Sequence, residues 1–167
     1  MGVRFEGMNE LFKSLDGIAS KDKCAEAMGK CCAIVERSAK QKAPKDTGAL
    51  RRSITSKVET AGRDVKGIVF TPLEYAPYRE YGTGLFAEKG GRKNVPWVYV
   101  AGEGSGKKGT GKTYTLEEAK RTVAILRSKG LEAYYTYGQK PQPFMRPAIK
   151  ENREKVIDTF VKGVLSK

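Results

Sequence analysis

The chain has 167 residues, with 32 Lys and Arg against 19 Asp and Glu, which gives a formal net charge of +13, and it contains no histidine. This length suffices for one domain with a real core, and the lack of histidine excludes the commonest general base and the commonest zinc ligand. The charge surplus favours an acidic partner, either nucleic acid, an anionic surface or an acidic protein. Because no apolar run approaches the length of a membrane span and no signal-peptide core opens the chain, we expect a soluble protein made in the cytoplasm.

Two helices are predicted at the start of the chain. Apolar residues recur at three- and four-residue spacing from Phe5 to Ile18 and again after Ser20, which can cap the second and longer helix. The apolar stripe of the second helix contains Cys24, Met28, Cys31, Cys32, Val35 and Ala39. An odd number of cysteines within one helical pattern does not suggest a disulfide framework, so we expect reduced and buried thiols.

The stretch Ala43–Ile54 marks a change from helical to strand-like sequence. Pro44 disfavours helical backbone at the preceding residue, so the long helix should end there. Asp46, Thr47 and Gly48 then supply a turn. The same three residues spell the aspartic-protease triplet, but their approach is polar and basic rather than hydrophobic, so we favour a capped turn over a catalytic carboxylate.

Strand-like sequence follows the turn. Ser53–Glu59 and Val65–Thr71 alternate in polarity, and the residues between them suggest a hairpin connection slightly longer than the tightest type. Next, Tyr75, Tyr78 and Tyr81 repeat every third residue, so a short helical turn would place all three on one side. That side is either a core ridge or an exposed contact surface, and the core ridge is the commoner outcome.

The second half of the chain predicts alternating strands and helices. They are a strand at Val95–Val100, a helix from Leu116 to about Lys129 capped by Thr115, a strand at Leu131–Tyr137, and a final helix Ala148–Leu165 with Pro147 in its first turn. The predicted fold class is therefore α+β: a small antiparallel sheet packed with a long N-terminal helical segment and a C-terminal helix.

Gly106–Thr113 satisfies the pattern of the phosphate-binding loop of nucleotide hydrolases. Two residues separate Thr113 from the next helix, whereas the motif requires Lys-Thr inside the first helical turn. No later apolar strand ends in an aspartate that could hold magnesium. We therefore favour a basic loop, which can contact DNA phosphates without hydrolysing a nucleotide.

Three segments together resemble a known family: Ala43–Ile54, Tyr75–Gly84 and Gly138–Ala148. In this order and spacing they resemble the gene-ten-product family of lambdoid tailed bacteriophages, the tail-completion or head–tail joining proteins. The resemblance implies an α+β subunit assembled as a ring, commonly of six copies, at the neck between capsid connector and tail tube. It also implies a virion location and no enzymatic activity, and hence no catalytic, cofactor or metal residues and no cofactor.

The resemblance further implies that the shared residues determine the fold or the contacts between subunits. The candidates are Asp46, Thr47, Gly48, Arg51, Tyr78, Glu80, Tyr81, Gly82, Pro143, Phe144, Arg146 and Pro147. Residues 104–131 depart from the family pattern and look like an inserted loop and helix in a single domain spanning 1–167.

The charge surplus continues through the loops of the second half. Residues 84–129 contain ten Lys and Arg against four Asp and Glu, and candidates for contact with DNA or an acidic neighbour are Arg92, Lys93, Lys107, Lys108 and Lys112. The leading hypothesis is a tail-completion ring subunit that joins the tail to the DNA-filled head. Its expected partners are copies of itself, head-completion or connector proteins, tail terminator or tail tube proteins, and phage DNA without sequence specificity, but no membrane. A basic nucleic-acid-binding module is the alternative, followed by a phosphate-loop enzyme.

Overall fold

The computed structural model describes residues 2–4, 20–62, 64–88, 96–101, 108–109 and 114–165, and it has the predicted α+β fold class. Its helices are α1 (Lys21–Lys42), α2 (Ala49–Ser53), α3 (Ala76–Tyr81), α4 (Leu116–Ser128) and α5 (Met145–Leu165), with a 3-10 turn at Gly84–Phe86. Its strands are β1 (Gly2–Arg4), β2 (Thr55–Ala61), β3 (Asp64–Phe70), β4 (Trp97–Val100), β5 (Lys108–Gly109) and β6 (Ala133–Thr136). The helix expected from Phe5 to Ile18 lies outside the described residues, and β1 was not predicted.

The chain divides into two compact units, which we describe separately. Unit 1 contains Met1–Ala76 and Pro143–Lys167, and unit 2 contains Pro77–Gln142. The single domain with an insertion at 104–131 stays a prediction.

The long helix of unit 1 begins and ends as its sequence predicts. Ser20 has extended backbone and its hydroxyl accepts a hydrogen bond from the Lys23 amide at 3.4 Å, which satisfies one free donor of the first turn. The helix ends at Lys42, and Ala43 after it has the backbone conformation favoured before a proline (φ −59°, ψ 132°). The predicted apolar stripe, Cys24, Met28, Cys31, Cys32, Val35 and Ala39, is buried.

The C-terminal helix α5 packs on α1 to form the core of unit 1. It begins at Met145, three residues before the predicted start, and places Pro147 in its first turn. The thiol of Cys31 donates a hydrogen bond to the carbonyl oxygen of Val156 at 3.2 Å. A Cβ on Gly163 would lie 2.8 Å from Ala27 Cβ, so the missing side chain of Gly163 lets α5 pack closely on α1 at this point. The buried residues of α5 are Met145, Ala148, Val156, Phe160 and Val164, while Ile149 and Val161 are half-buried.

The first sheet has the strand order β1-β3-β2 and is antiparallel throughout. Val65, Gly67 and Val69 of β3 are buried on one face, as the alternation predicted. A Cβ on Gly67 would lie 2.5 Å from Cys32 Sγ, so the missing side chain lets the sheet approach α1. The hairpin is tighter than expected, because Ala61 pairs directly with Asp64 and leaves a two-residue connection.

Unit 2 contains a second antiparallel sheet, where the sequence predicted only one. Its strand order is β5-β4-β6, and Val98 and Ala133 are buried with Ala119 and Val123 of α4. Helix α4 has the predicted cap: Thr115 Oγ1 accepts the Glu118 amide at 3.3 Å while Glu118 Oε2 accepts the Thr115 amide at 2.8 Å. This reciprocal pair satisfies two backbone donors that the first turn would otherwise leave free.

Candidate assembly surface

The turn Asp46–Gly48 is stabilised by hydrogen bonds between nearby residues. Asp46 is exposed, Gly48 has the left-handed backbone expected of a turn glycine (φ 76°), and Thr47 Oγ1 accepts the Ala49 amide at 3.3 Å. Arg52 Nη1 donates to the Thr47 carbonyl at 3.2 Å. The chain then forms the short helix α2, which the sequence analysis did not predict, before entering β2.

The tyrosines at positions 75, 78 and 81 do not form a core ridge. They are 42%, 57% and 37% exposed, respectively, so that expectation was wrong, although the helical turn α3 that carries the last two was predicted. Leu85 and Phe86 are also exposed. We refer to Tyr78, Tyr81, Leu85 and Phe86 of unit 2 as the aromatic segment.

Backbone hydrogen bonds anchor the aromatic segment to a distant part of unit 2. Thr83 donates its amide to the Gln139 carbonyl at 3.0 Å, and Leu85 donates its amide to the Tyr137 carbonyl at 2.8 Å. The Gln139 amide returns a bond to Thr83 Oγ1 at 3.1 Å. We refer to these three hydrogen bonds between residues 83–85 and 137–139 as the clamp. Because both segments contribute main-chain groups to it, the clamp fixes the backbone beneath the exposed side chains.

A second set of bonds fixes α3 itself. The Gln142 amide donates to the Arg79 carbonyl at 2.7 Å, and Gln139 Nε2 donates to the Tyr78 carbonyl at 3.0 Å. The structure therefore joins the second resemblance segment to the beginning of the third. Thr83 and Gln139 were not among the residues predicted from the sequence, because their pairing is not local.

Glycines allow the close approach at this clamp. Gly82 and Gly84 have positive φ, 74° and 61°. An added Cβ at Gly82 would lie 2.7 Å from the Phe86 carbonyl oxygen, and one at Gly84 would meet the carbonyl of Tyr137 and the ring of Trp97. Glu80, another candidate residue, is fully buried beside the exposed tyrosines, so it belongs to the support of this surface.

The remaining candidates of the third segment lie in unit 1 and differ in burial. Phe144 is fully buried in the core of that unit, whereas Pro143 and Arg146 are exposed and Pro147 is half-buried. Phe144 is thus placed to stabilise the fold, and only its neighbours are accessible to a partner.

Most of the basic candidates, Arg92, Lys93, Lys107 and Lys112, lie outside the described residues. Lys108 lies on β5, which pairs antiparallel with Tyr99 and Val100 of β4. The middle of the Gly106–Thr113 sequence therefore extends a sheet. Within the described part of the chain no group of three or more His, Cys, Asp or Glu side chains could hold a metal ion, and no described helix is long and apolar enough to cross a membrane.

Comparison with known proteins found one similarity. Residues 6–82 match the family model described as "Bacteriophage HK97-gp10, putative tail-component". Over these residues the chain is similar to bacteriophage tail components, and this similarity supports a structural role in a bacteriophage particle. The match contains the Asp46–Gly48 turn and α3, but not the third resemblance segment. No curated protein and no solved structure matched the chain.

Proposed function

We propose that the chain is a tail-completion subunit that joins the tail of a long-tailed bacteriophage or prophage to the DNA-filled head. In this proposal several copies, six in the expected arrangement, form a ring at the neck. The similarity of residues 6–82 to a family of bacteriophage tail components supports the structural role. The position at the neck and the assembly into a ring are proposed beyond that similarity.

The observation that carries the proposal is the exposed aromatic segment on a fixed backbone. Tyr78 is 57% exposed and Phe86 is 38% exposed, while the clamp between Thr83 and Gln139 holds the chain beneath them. Tyrosine and phenylalanine are enriched at the centres of protein interfaces. A surface that is already ordered loses little conformational entropy on binding. These properties suit a subunit that must dock on other virion proteins.

The proposed contacts follow from this surface and from charge. The aromatic segment would contact a neighbouring copy, a head-completion or connector protein, or a tail terminator or tube protein. The net charge of +13 supports a position near the DNA path, since lysine and arginine gain affinity for phosphates by releasing counterions, without sequence specificity. The basic residues 92, 93, 107, 108 and 112 are the proposed contacts with DNA or an acidic neighbour.

The test is electron microscopy of particles produced when the gene is interrupted in its parent phage or prophage. We expect filled heads to accumulate beside unattached or abnormally ended tails, and the intact gene supplied in trans to restore joined particles. Normal infectious particles without the gene would refute the joining role and favour the basic nucleic-acid-binding module.

A further inference from the structure

A pocket in unit 1 lies outside the aromatic segment. Its volume is about 330 Å³, and its walls are Ala33, Glu36, Arg37, Lys40 and Gln41 of α1 together with Arg51 of α2. The five α1 residues recur at a spacing of three or four and so share one helix face. The turn at Asp46–Gly48 and the short helix after it bring Arg51 to this face.

Glu36 and Lys40 neutralise each other within the pocket. The carboxylate of Glu36 accepts hydrogen bonds from Lys40 Nζ and from Ser56 Oγ, each at 2.6 Å. Burial raises the pKa of Glu36, but these two hydrogen bonds and the charge of Lys40 outweigh it, so the pKa lies below its usual value. Glu36 is therefore ionised at neutral pH and fully engaged.

The two arginines of the pocket have no partner within the described part of the chain. Neither Arg37 nor Arg51 makes a hydrogen bond or ion pair with another residue in the described part of the chain. Arg37 and Arg51 are both exposed, so both guanidinium groups are accessible to a partner. The neighbouring Arg52, in contrast, is engaged with the Thr47 carbonyl. The pocket thus presents two free guanidinium groups, each with parallel N–H donors.

We propose that this pocket binds a carboxylate side chain of a partner protein between Arg37 and Arg51. Guanidinium groups pair with carboxylates through two parallel hydrogen bonds. A concave site of this volume suits one or two inserted side chains, whereas a DNA backbone offers a continuous row of phosphates. This assignment concerns the pocket alone and does not depend on where the chain lies in the particle.

The test uses the full chain and a hexaglutamate peptide, with hexaglutamine as the uncharged reference. Affinity is measured by titration calorimetry for the native protein and for the double variant Arg37→Gln, Arg51→Gln. The matched control is Lys150→Gln, Arg153→Gln, which removes the same charge from exposed positions of α5. Thermal unfolding establishes that each variant folds, and the single variant Arg51→Gln, at an exposed position, repeats the test independently.

We expect the pocket variant to lose about tenfold or more in hexaglutamate affinity and the control to lose far less. The charge-conserving variant Arg37→Lys, Arg51→Lys should lose part of the affinity, because lysine lacks the planar pair of donors. No binding of hexaglutamate to the native protein, or equal losses in the pocket variant and the control, would overturn the proposal. An oligothymidylate of seven nucleotides provides the nucleic-acid comparison. If the pocket variant loses at least as much affinity for this oligonucleotide as for the peptide, the site binds phosphate, and the assignment to a protein carboxylate is wrong.

Discussion

Thr83 and Gln139 hold each other through two hydrogen bonds, although 56 positions separate them. The Thr83 amide donates to the Gln139 carbonyl at 3.0 Å, and the Gln139 amide donates to Thr83 Oγ1 at 3.1 Å. Both backbones are therefore satisfied at the place where the chain carries Tyr81 and Phe86 outward. The rigidity of the aromatic segment depends on this pair and on the glycines that admit it.

Replacing Gly84 tests whether the aromatic segment depends on the glycines beside the clamp. Gly84→Ala should cost about 3 kcal/mol or more, because it adds strain at positive φ and a Cβ that would meet the Tyr137 carbonyl and the Trp97 ring. Gly130→Ala is the control, since Gly130 also has positive φ (77°) but nothing lies within 4 Å of an added Cβ; it should cost only about 1 kcal/mol. Denaturant unfolding measures both, and equal costs would show that the clamp does not crowd Gly84.

Hydrogen exchange measures the local effect of the Gly84→Ala substitution. In the native protein the amides of Thr83 and Leu85 are bonded across the clamp, so both should exchange slowly. In Gly84→Ala both should exchange faster, while amides in the middle of α1 remain protected. Unprotected amides at these two positions in the native protein would contradict the clamp.

The cysteines of α1 should be unreactive in the folded protein. Burial raises the pKa of Cys31 and of Cys32 to about 11. The negative charge of a neighbour raises each pKa further: Cys32 acts on Cys31, and Glu36 acts on Cys32. The reactive thiolate is therefore scarce at neutral pH. We expect negligible alkylation by iodoacetamide in the folded state and full reaction in concentrated guanidinium. An exposed reference thiol, introduced as Ala124→Cys on α4, should react at once; equal rates for Cys32 and this reference would contradict the burial.

Glu36 should contribute stability that depends on pH. Its pKa is lower in the folded protein than its usual value, so the unfolded chain binds a proton first as the pH falls. The stabilisation is therefore fully present above the usual glutamate pKa of about 4.3 and is lost as the pH falls through the lower folded pKa. Urea unfolding of the native protein and of Glu36→Gln should differ at neutral pH and converge in acid.

Glu26→Gln is the control for this pH dependence. The carboxylate of Glu26 is paired with Lys30 at 2.7 Å, but both side chains are well exposed. Exposed pairs of this kind contribute little to stability, so the control should match the native protein closely at both pH values. A Glu36→Gln difference that persists unchanged in acid would exclude the linkage.

The aromatic segment should matter for assembly and not for folding. Tyr78 and Ile125 are both 57% exposed in unit 2, so alanine at either position should change the free energy of unfolding by only about 0.5 kcal/mol. In complementation of the interrupted gene, Tyr78→Ala should restore far fewer joined particles than Ile125→Ala, because an exposed aromatic side chain at an interface often carries a large share of the binding energy. Equal restoration would remove Tyr78 from the contact surface.

Local signals in the sequence were sufficient for the long elements. Ser20 and Thr115 cap helices because their hydroxyls reach nearby backbone amides, and Pro44 ends α1 by restricting the residue before it. Such rules involve three or four consecutive residues, so they can be recognised without knowing the fold. The same is true of the alternation that placed Val65 and Val69 on the buried face of β3.

The candidate surfaces depended on contacts that no local rule contains. Three-residue spacing correctly placed Tyr78 and Tyr81 on a short helix, but which side of that helix faces solvent is decided by what packs against it. Gln139 and Gln142 approach the turn from a distant segment, and the spacing carries no information about them. For the same reason the pocket between Arg37 and Arg51 could not be predicted, since it exists only once α2 folds beside α1.

Locating the chain in intact particles tests whether it is part of the junction between head and tail. A chain carrying an epitope tag replaces the native copy, and infectious particles are labelled with antibody-bound gold. We expect label at the head-proximal end of tails, both on joined particles and on isolated tails that are competent to join. Label only at the distal tip, or purified particles that lack the chain, would contradict this expectation.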